Sequence, residues 1–78
     1  MMHKLLDTVA LTSDHLEAGL RKGDVGAVVE VLSQDAYEDE FVAASGRTQA
    51  LVTLAASEVR ALGDRDLISV RTLAETDA

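Results

Sequence analysis

The densest group of ionisable side chains in this 78-residue chain is Asp35-Ala36-Tyr37-Glu38-Asp39-Glu40-Phe41. Carboxylates packed this closely raise one another's pKa, and two of them drawn into a pocket would serve as general acid and base. They would also suit Mg²⁺ or Ca²⁺, but the segment lacks the spacing and central glycine of a calcium loop. Tyr37 and Phe41, the chain's single tyrosine and single phenylalanine, stand four residues apart. Such rings either complete a core or anchor a protein contact. The core reading ranks first, an acid-rimmed contact patch second and catalysis last. If the segment has a function, Asp35, Tyr37, Glu38, Asp39, Glu40 and Phe41 are its candidate protein-binding residues.

Other reactive constellations do not assemble. His3 and His15 are the only histidines, there is no cysteine, and no His-x-x-x-His spacing occurs, so no metal site is expected. Ser13-Asp14-His15 has the residue types of a catalytic triad. Three consecutive helical residues, however, point about 100° apart and cannot form its chain of hydrogen bonds, so Ser13 and Asp14 read as capping residues. Gly23, Gly26 and Gly46 form no phosphate-cradling loop, and no Gly-Lys-Ser or Gly-Lys-Thr follows them. We therefore expect no catalytic residue and no cofactor.

Charge points to the class of partner. The formal net charge is −7, which disfavours direct binding to a nucleic-acid backbone. Residues 23–46 carry Asp24, Glu30, Asp35, Glu38, Asp39 and Glu40 and no base, so most of the excess sits in the middle of the chain. That segment reads either as a solvated acidic face or as a docking face for a basic protein, whose approach the field would accelerate. The chain is long enough for one domain, residues 1–78, with a thin core rich in alanine and valine. A partner or a second copy would supply burial that it lacks. The longest apolar stretches, such as Ala50 to Val52 and Leu54 to Ala56, are far too short to cross a bilayer, so no membrane is expected. Asp7 interrupts the apolar start where a signal peptide would continue. The absence of cysteine fits a reducing compartment, and a cytoplasmic location is expected.

The elements that would position these residues read as helices. Leu5, Leu6, Val9, Leu16 and Leu20 recur at helical spacing over 3–22, closed by Arg21, Lys22 and Gly23. Asp24 would cap a second helix over 24–34 with Val25, Val28 and Leu32 inward, although its four valines are modest helix formers. That helix stops near Gln34 or runs on to Ala44, and Tyr37 to Val42 is its short-strand alternative. Leu51, Leu54, Ala55, Val59 and Leu62 predict a third helix over 47–62, ended by Gly63. Residues 66–75 fit a fourth helix or an edge strand. The expected core is Leu5/Val9/Leu16/Leu20, Val25/Val28/Leu32 and Leu51/Leu54/Val59/Leu62. The helix, Gly-Asp, helix pattern at Gly23-Asp24 and again at Gly63-Asp64 is ordinary helix-ending chemistry rather than a repeat.

Taken in order, Leu20-Arg21-Lys22-Gly23-Asp24, Val28 to Leu32, Asp35-Ala36-Tyr37-Glu38-Asp39, Gly46-Arg47 and Leu67 to Asp77 resemble the first half of nuclear transport factor 2-like domains. The resemblance is in particular to SnoaL-like polyketide cyclases and covers about residues 16–77. The resemblance implies a truncated cone-shaped α+β half-domain whose exposed half-sheet needs a partner. It carries over no catalytic residue. A looser similarity, in the leucine-rich start, the Gly-Asp turn and the acidic surface, is to small helical flagellar and type III secretion chaperones. The expected fold class is thus mainly α, a three- to four-helix domain. The expected function is a non-enzymatic protein-binding module (adaptor, chaperone or inhibitor, hence a regulator) using the acidic surface around residues 35–41. The alternatives are a small-molecule-binding or cyclase-like domain and an acidic nucleic-acid mimic that inhibits an enzyme.

Overall fold

Valine at positions 25, 28, 29 and 31, and the alternation Tyr37-x-Asp39-x-Phe41, suit a pleated surface better than a helical one. The computed structural model, which describes residues 3–73, places both segments in strands. The strands are β1 (Thr8–Leu11), β2 (Val25–Val31), β3 (Ala36–Val42), β4 (Thr48–Ala55) and β5 (Val59–Ala61). They form one antiparallel sheet in the order β4-β3-β2-β1-β5. Single 3-10 turns lie at Leu16–Ala18, in the long loop between β1 and β2, and at Ala56–Glu58, between β4 and β5.

The expected mainly-α fold is therefore corrected to mainly β. No α-helix occurs among the described residues, so those expected over 3–22, 24–34 and 47–62 are not formed, and the α+β half-domain is not formed either. Of the region around 35–41, the short-strand alternative for Tyr37 to Val42 matches β3. Residues 62–73 are neither helix nor strand, while residues 74–77, which the expected last segment and the resemblance reach into, lie outside the described residues. No helix among the described residues is long and apolar enough to cross a membrane.

The glycines explain how the chain reverses without helices. Gly23 and Gly46 both have φ of +91°, the left-handed region that glycine adopts at no steric cost. Gly23 lies in a turn where Asp24 N–H donates to the Arg21 carbonyl and Arg21 N–H donates to Asp24 Oδ2. Gly46 closes the β3–β4 hairpin with its N–H on the Ala43 carbonyl.

Connectivity makes the sheet curl. Its two edge strands, β4 and β5, are joined only by Ala56–Glu58. A flat sheet would hold those edges roughly 19 Å apart at about 4.8 Å per strand. Four Cα–Cα links reach about 14 Å at most. The sheet must curl so that its two edges converge, and Thr12 ties the end of β1 to the β4–β5 turn by donating from N–H to the Glu58 carbonyl and from Oγ1 to the Ser57 carbonyl, each at 2.9 Å. Val9, Leu11, Leu20, Val28, Tyr37, Phe41, Leu54 and Val59 fill the concave side.

Five of these side chains, Val9, Leu20, Val28, Leu54 and Val59, belong to the expected core. Leu5, Leu16, Leu32 and Leu51, also expected in the core, are 48–60% exposed, because a two-residue period turns them outward or leaves them in loops, and Val25 and Leu62 are only half-buried. At Gly26, a β-carbon would sit 2.7 Å from the Phe41 ring and 2.8 Å from the Glu40 carbonyl, so only glycine lets β3 approach β2 here.

Candidate functional site

Strand β3 divides the six candidate residues between two faces. Tyr37, Asp39 and Phe41 point inward and are buried. Glu38 and Glu40 point outward, and Asp35 is exposed in the turn before β3. The cluster that looks continuous in sequence is thus an acidic outer stripe backed by a largely apolar inner one.

On the inner stripe, Tyr37 is satisfied: its hydroxyl donates to the Gln34 carbonyl at 2.9 Å and accepts the His3 N–H at 3.2 Å. The His3 ring meets the Tyr37 ring edge-on at 5.4 Å. Asp39 is different. It is fully buried, and neither carboxyl oxygen has a hydrogen-bond partner among the described residues. Burial pushes its pKa up to about 6, with Glu38 adding to the rise and His3 opposing it.

On the outer face, cross-strand register sets Glu30 directly opposite Glu38, and Glu38 opposite Thr53; the next row is Ala27, Glu40 and Leu51. Thr53 Oγ1 donates to Glu38 Oε1 and Thr48 Oγ1 to Glu40 Oε2, each at 2.6 Å, which fixes both carboxylates on the surface. The Glu30–Glu38 pair is brought opposite by an irregularity between Val28 and Glu30. Like charges directly opposite are destabilising, and β2, β3 and β4 contain no lysine or arginine to offset them. Beside this face, β4 pairs only with β3, so among the described residues no strand covers its other side.

Ser13, Asp14 and His15 are not brought into a chain. Asp14 Oδ1 accepts the Lys22 N–H at 2.8 Å, and His15 Nε2 lies 3.5 Å from Glu58 Oε2, linking the long loop to the Ala56–Glu58 turn. Among the described residues, no group of three or more His, Asp or Glu is placed to hold a metal ion.

One feature has no counterpart in the sequence reading. Arg71 donates from Nε to Asp24 Oδ1 at 2.9 Å and from Nη2 to Asp24 Oδ2 at 2.6 Å and to the Gly19 carbonyl at 2.9 Å. Burial would raise the Asp24 carboxyl, but hydrogen bonds from Arg71 and from the Arg21 N–H outweigh it and hold the pKa below its ordinary value. Asp24 reads in the sequence as a helix cap, and nothing links it to an arginine 47 residues away. Beside this pair lies an open groove of about 330 Å³, between the long loop, the β3–β4 hairpin end and residues 68–73.

Comparison with known proteins adds one relation. The family described as Domain of unknown function (DUF4926) matches residues 5–61, from just before β1 to the end of β5. Neither the curated proteins nor the solved structures give a match.

Proposed function

Because the chain belongs to this family, whose description carries no activity, we propose from its geometry a non-enzymatic protein-binding module for a positively charged partner. The partner meets the outer face of β2, β3 and β4 and the uncovered side of β4. The observation that carries this reading is the Glu30–Glu38 pair, like charges held opposite one another on three strands without a base. A basic side chain seated between them would turn a repulsive pair into a charge-assisted bridge. The long β4 edge beside it offers unpaired main-chain groups to an added strand, and Leu51 and Val42, each more than half exposed, offer apolar contact.

Glu30, Glu38 and Glu40 are the contact residues in this reading, with Asp35 at the end of the stripe. Tyr37, Asp39 and Phe41 shape the strand from inside. The cyclase-like alternative calls for a strand near Leu67 to Leu73 and a cavity under a third helix, and residues 62–73 hold no strand and no third helix forms among the described residues.

The test is capture of a partner from source lysate by the tagged chain and by an E30K/E38K double variant, with both folds checked by circular dichroism. A stoichiometric protein released as salt rises, and lost with the double variant, is the expected result. Capture that ignores both salt and the charge reversal would overturn the reading.

A further inference from the structure

Of the two edge strands, β5 has three residues and β4 has eight. From Thr48 to Ala55, β4 holds neither a charged residue nor a proline, the devices that commonly keep an edge from pairing. Its main-chain groups alternate in direction. The Ala56 N–H donates to the Asp35 carbonyl, on the β3 side. The Ala55 N–H turns the other way, where Glu58 Oε1 accepts it at 2.7 Å and ends the edge. By the same alternation Thr53 and Leu51 turn their N–H and C=O groups to the uncovered side, where no strand among the described residues pairs with them.

Charge lies one strand behind this edge and is aimed at it. Leu51 and Thr53 sit on the outer face, directly opposite Glu40 and Glu38. The hydroxyls that hold those two carboxylates belong to Thr48 and Thr53 of β4, so both acids lean towards the open side. A strand added to β4 would lie roughly 10 Å from β3, two spacings of about 4.8 Å. From there a long basic side chain opposite Thr53 reaches back over that small residue to the Glu38 carboxylate. Two residues along, a side chain opposite Leu51 meets an apolar surface that is 55% exposed.

We infer that the positively charged partner binds by adding an antiparallel strand to β4, with an arginine or lysine opposite Thr53 and an apolar side chain two residues later, opposite Leu51. This binding mode rests on the acidic-face reading and specifies how that face is engaged. Main-chain pairing supplies an affinity that does not depend on sequence, and the two outward side chains supply the choice of partner. Register is enforced by charge, since a slip of one residue turns the basic side chain to the concave side, away from Glu38. Arginine suits the position best, because its planar fork can take the carboxylate oxygen that Thr53 leaves free. A cation there also offsets the repulsion between Glu30 and Glu38.

The experiment titrates the isotope-labelled full chain with the capped synthetic peptide Ser-Thr-Arg-Thr-Leu-Thr-Ser and follows backbone amides by NMR. The amides of Leu51 and Thr53 should shift, and binding should weaken as salt rises. Two further peptides separate charge from strand pairing without altering the protein. One carries glutamate in place of arginine. The other is N-methylated at its arginine and leucine, which keeps both side chains and removes the N–H groups aimed at β4. Each should bind at least about tenfold more weakly than the first. If the N-methylated peptide binds as well as its parent, strand addition is overturned while the acidic-face reading stands. Equal binding of the glutamate peptide, or no binding of any, also overturns this mode. The acidic-face reading is then decided separately, by lysate capture with the E30K/E38K variant.

Discussion

Asp39 sets the pH response of the core. Its pKa is raised from 3.8 to about 6 by burial, so the folded state binds the proton more tightly than the unfolded chain does. The stabilising effect of that proton is complete below about 3.8 and is lost as pH rises through about 6. Above that range the ionised group costs roughly 3 kcal/mol, at about 1.4 kcal/mol per pKa unit. Asp39→Asn should therefore raise the melting temperature at pH 7.5, and the gain should shrink towards zero as the pH is lowered to about 4. Thermal melts of both proteins across that range check it, and a gain that does not vary with pH would place the carboxyl in contact with solvent. The residue that the sequence offers as part of an acidic surface is, in the fold, an acid kept from water.

At the scale of elements, the contact between β2 and β3 depends on Gly26. Gly26→Ala pushes a methyl group into the Phe41 ring and the Glu40 carbonyl. It should cost about 1–3 kcal/mol by overpacking, read as a lower urea midpoint with an unchanged slope. The same contact shows why the strands were not legible. Leu51 and Leu54, three apart, fit a helical face, but in β4 they point to opposite sides: Leu54 is buried, while Leu51 is more than half exposed. Ala50 and Val52, the inward neighbours of Leu54, are too small and too evenly mixed with other apolar residues to announce a period of two. Gly23-Asp24 misleads for a related reason. A glycine with positive φ followed by a carboxylate that accepts a nearby N–H ends helices and builds tight turns with the same atoms. In β2 the stiff β-branched valines carried a sheet signal that the helical spacing of Val25, Val28 and Leu32 overrode, and β3 was legible only as the short-strand alternative for Tyr37 to Val42. The split of the candidate residues into two faces follows from the alternation along β3. The Glu30–Glu38 opposition and the Arg71–Asp24 latch depend on register and long-range approach, which no local spacing encodes.

Taken as a whole, the described molecule divides into a curled sheet and an appended segment, residues 62–73. Among the described residues Val59 is the last of the core cluster, and residues 62–73 add no buried apolar side chain to it. A chain ending at Ala61 should keep a cooperative transition and lose about 1 kcal/mol, or roughly 4–8 °C in melting temperature, from the Arg71–Asp24 pair. Calorimetry of the two chains decides this, and loss of the transition would show that the segment is part of the fold. The charge distribution belongs to this scale too. The formal net charge is −7, with the excess on β2, β3 and their connections, so the field has a direction and orients an approaching cationic surface before contact.

The pairing of β1 with β5 has a consequence for how the chain is made. Within the sheet, β1 finds its outer neighbour only when β5 is synthesised, about 50 residues later. At 5–20 residues per second that interval is roughly 3–10 s, far longer than hairpin formation. The β2–β3 and β3–β4 hairpins can form during it, leaving the nascent sheet open along β1 until Val59–Ala61 arrives. Translation, not chain diffusion, therefore sets the moment at which β1 gains its outer neighbour.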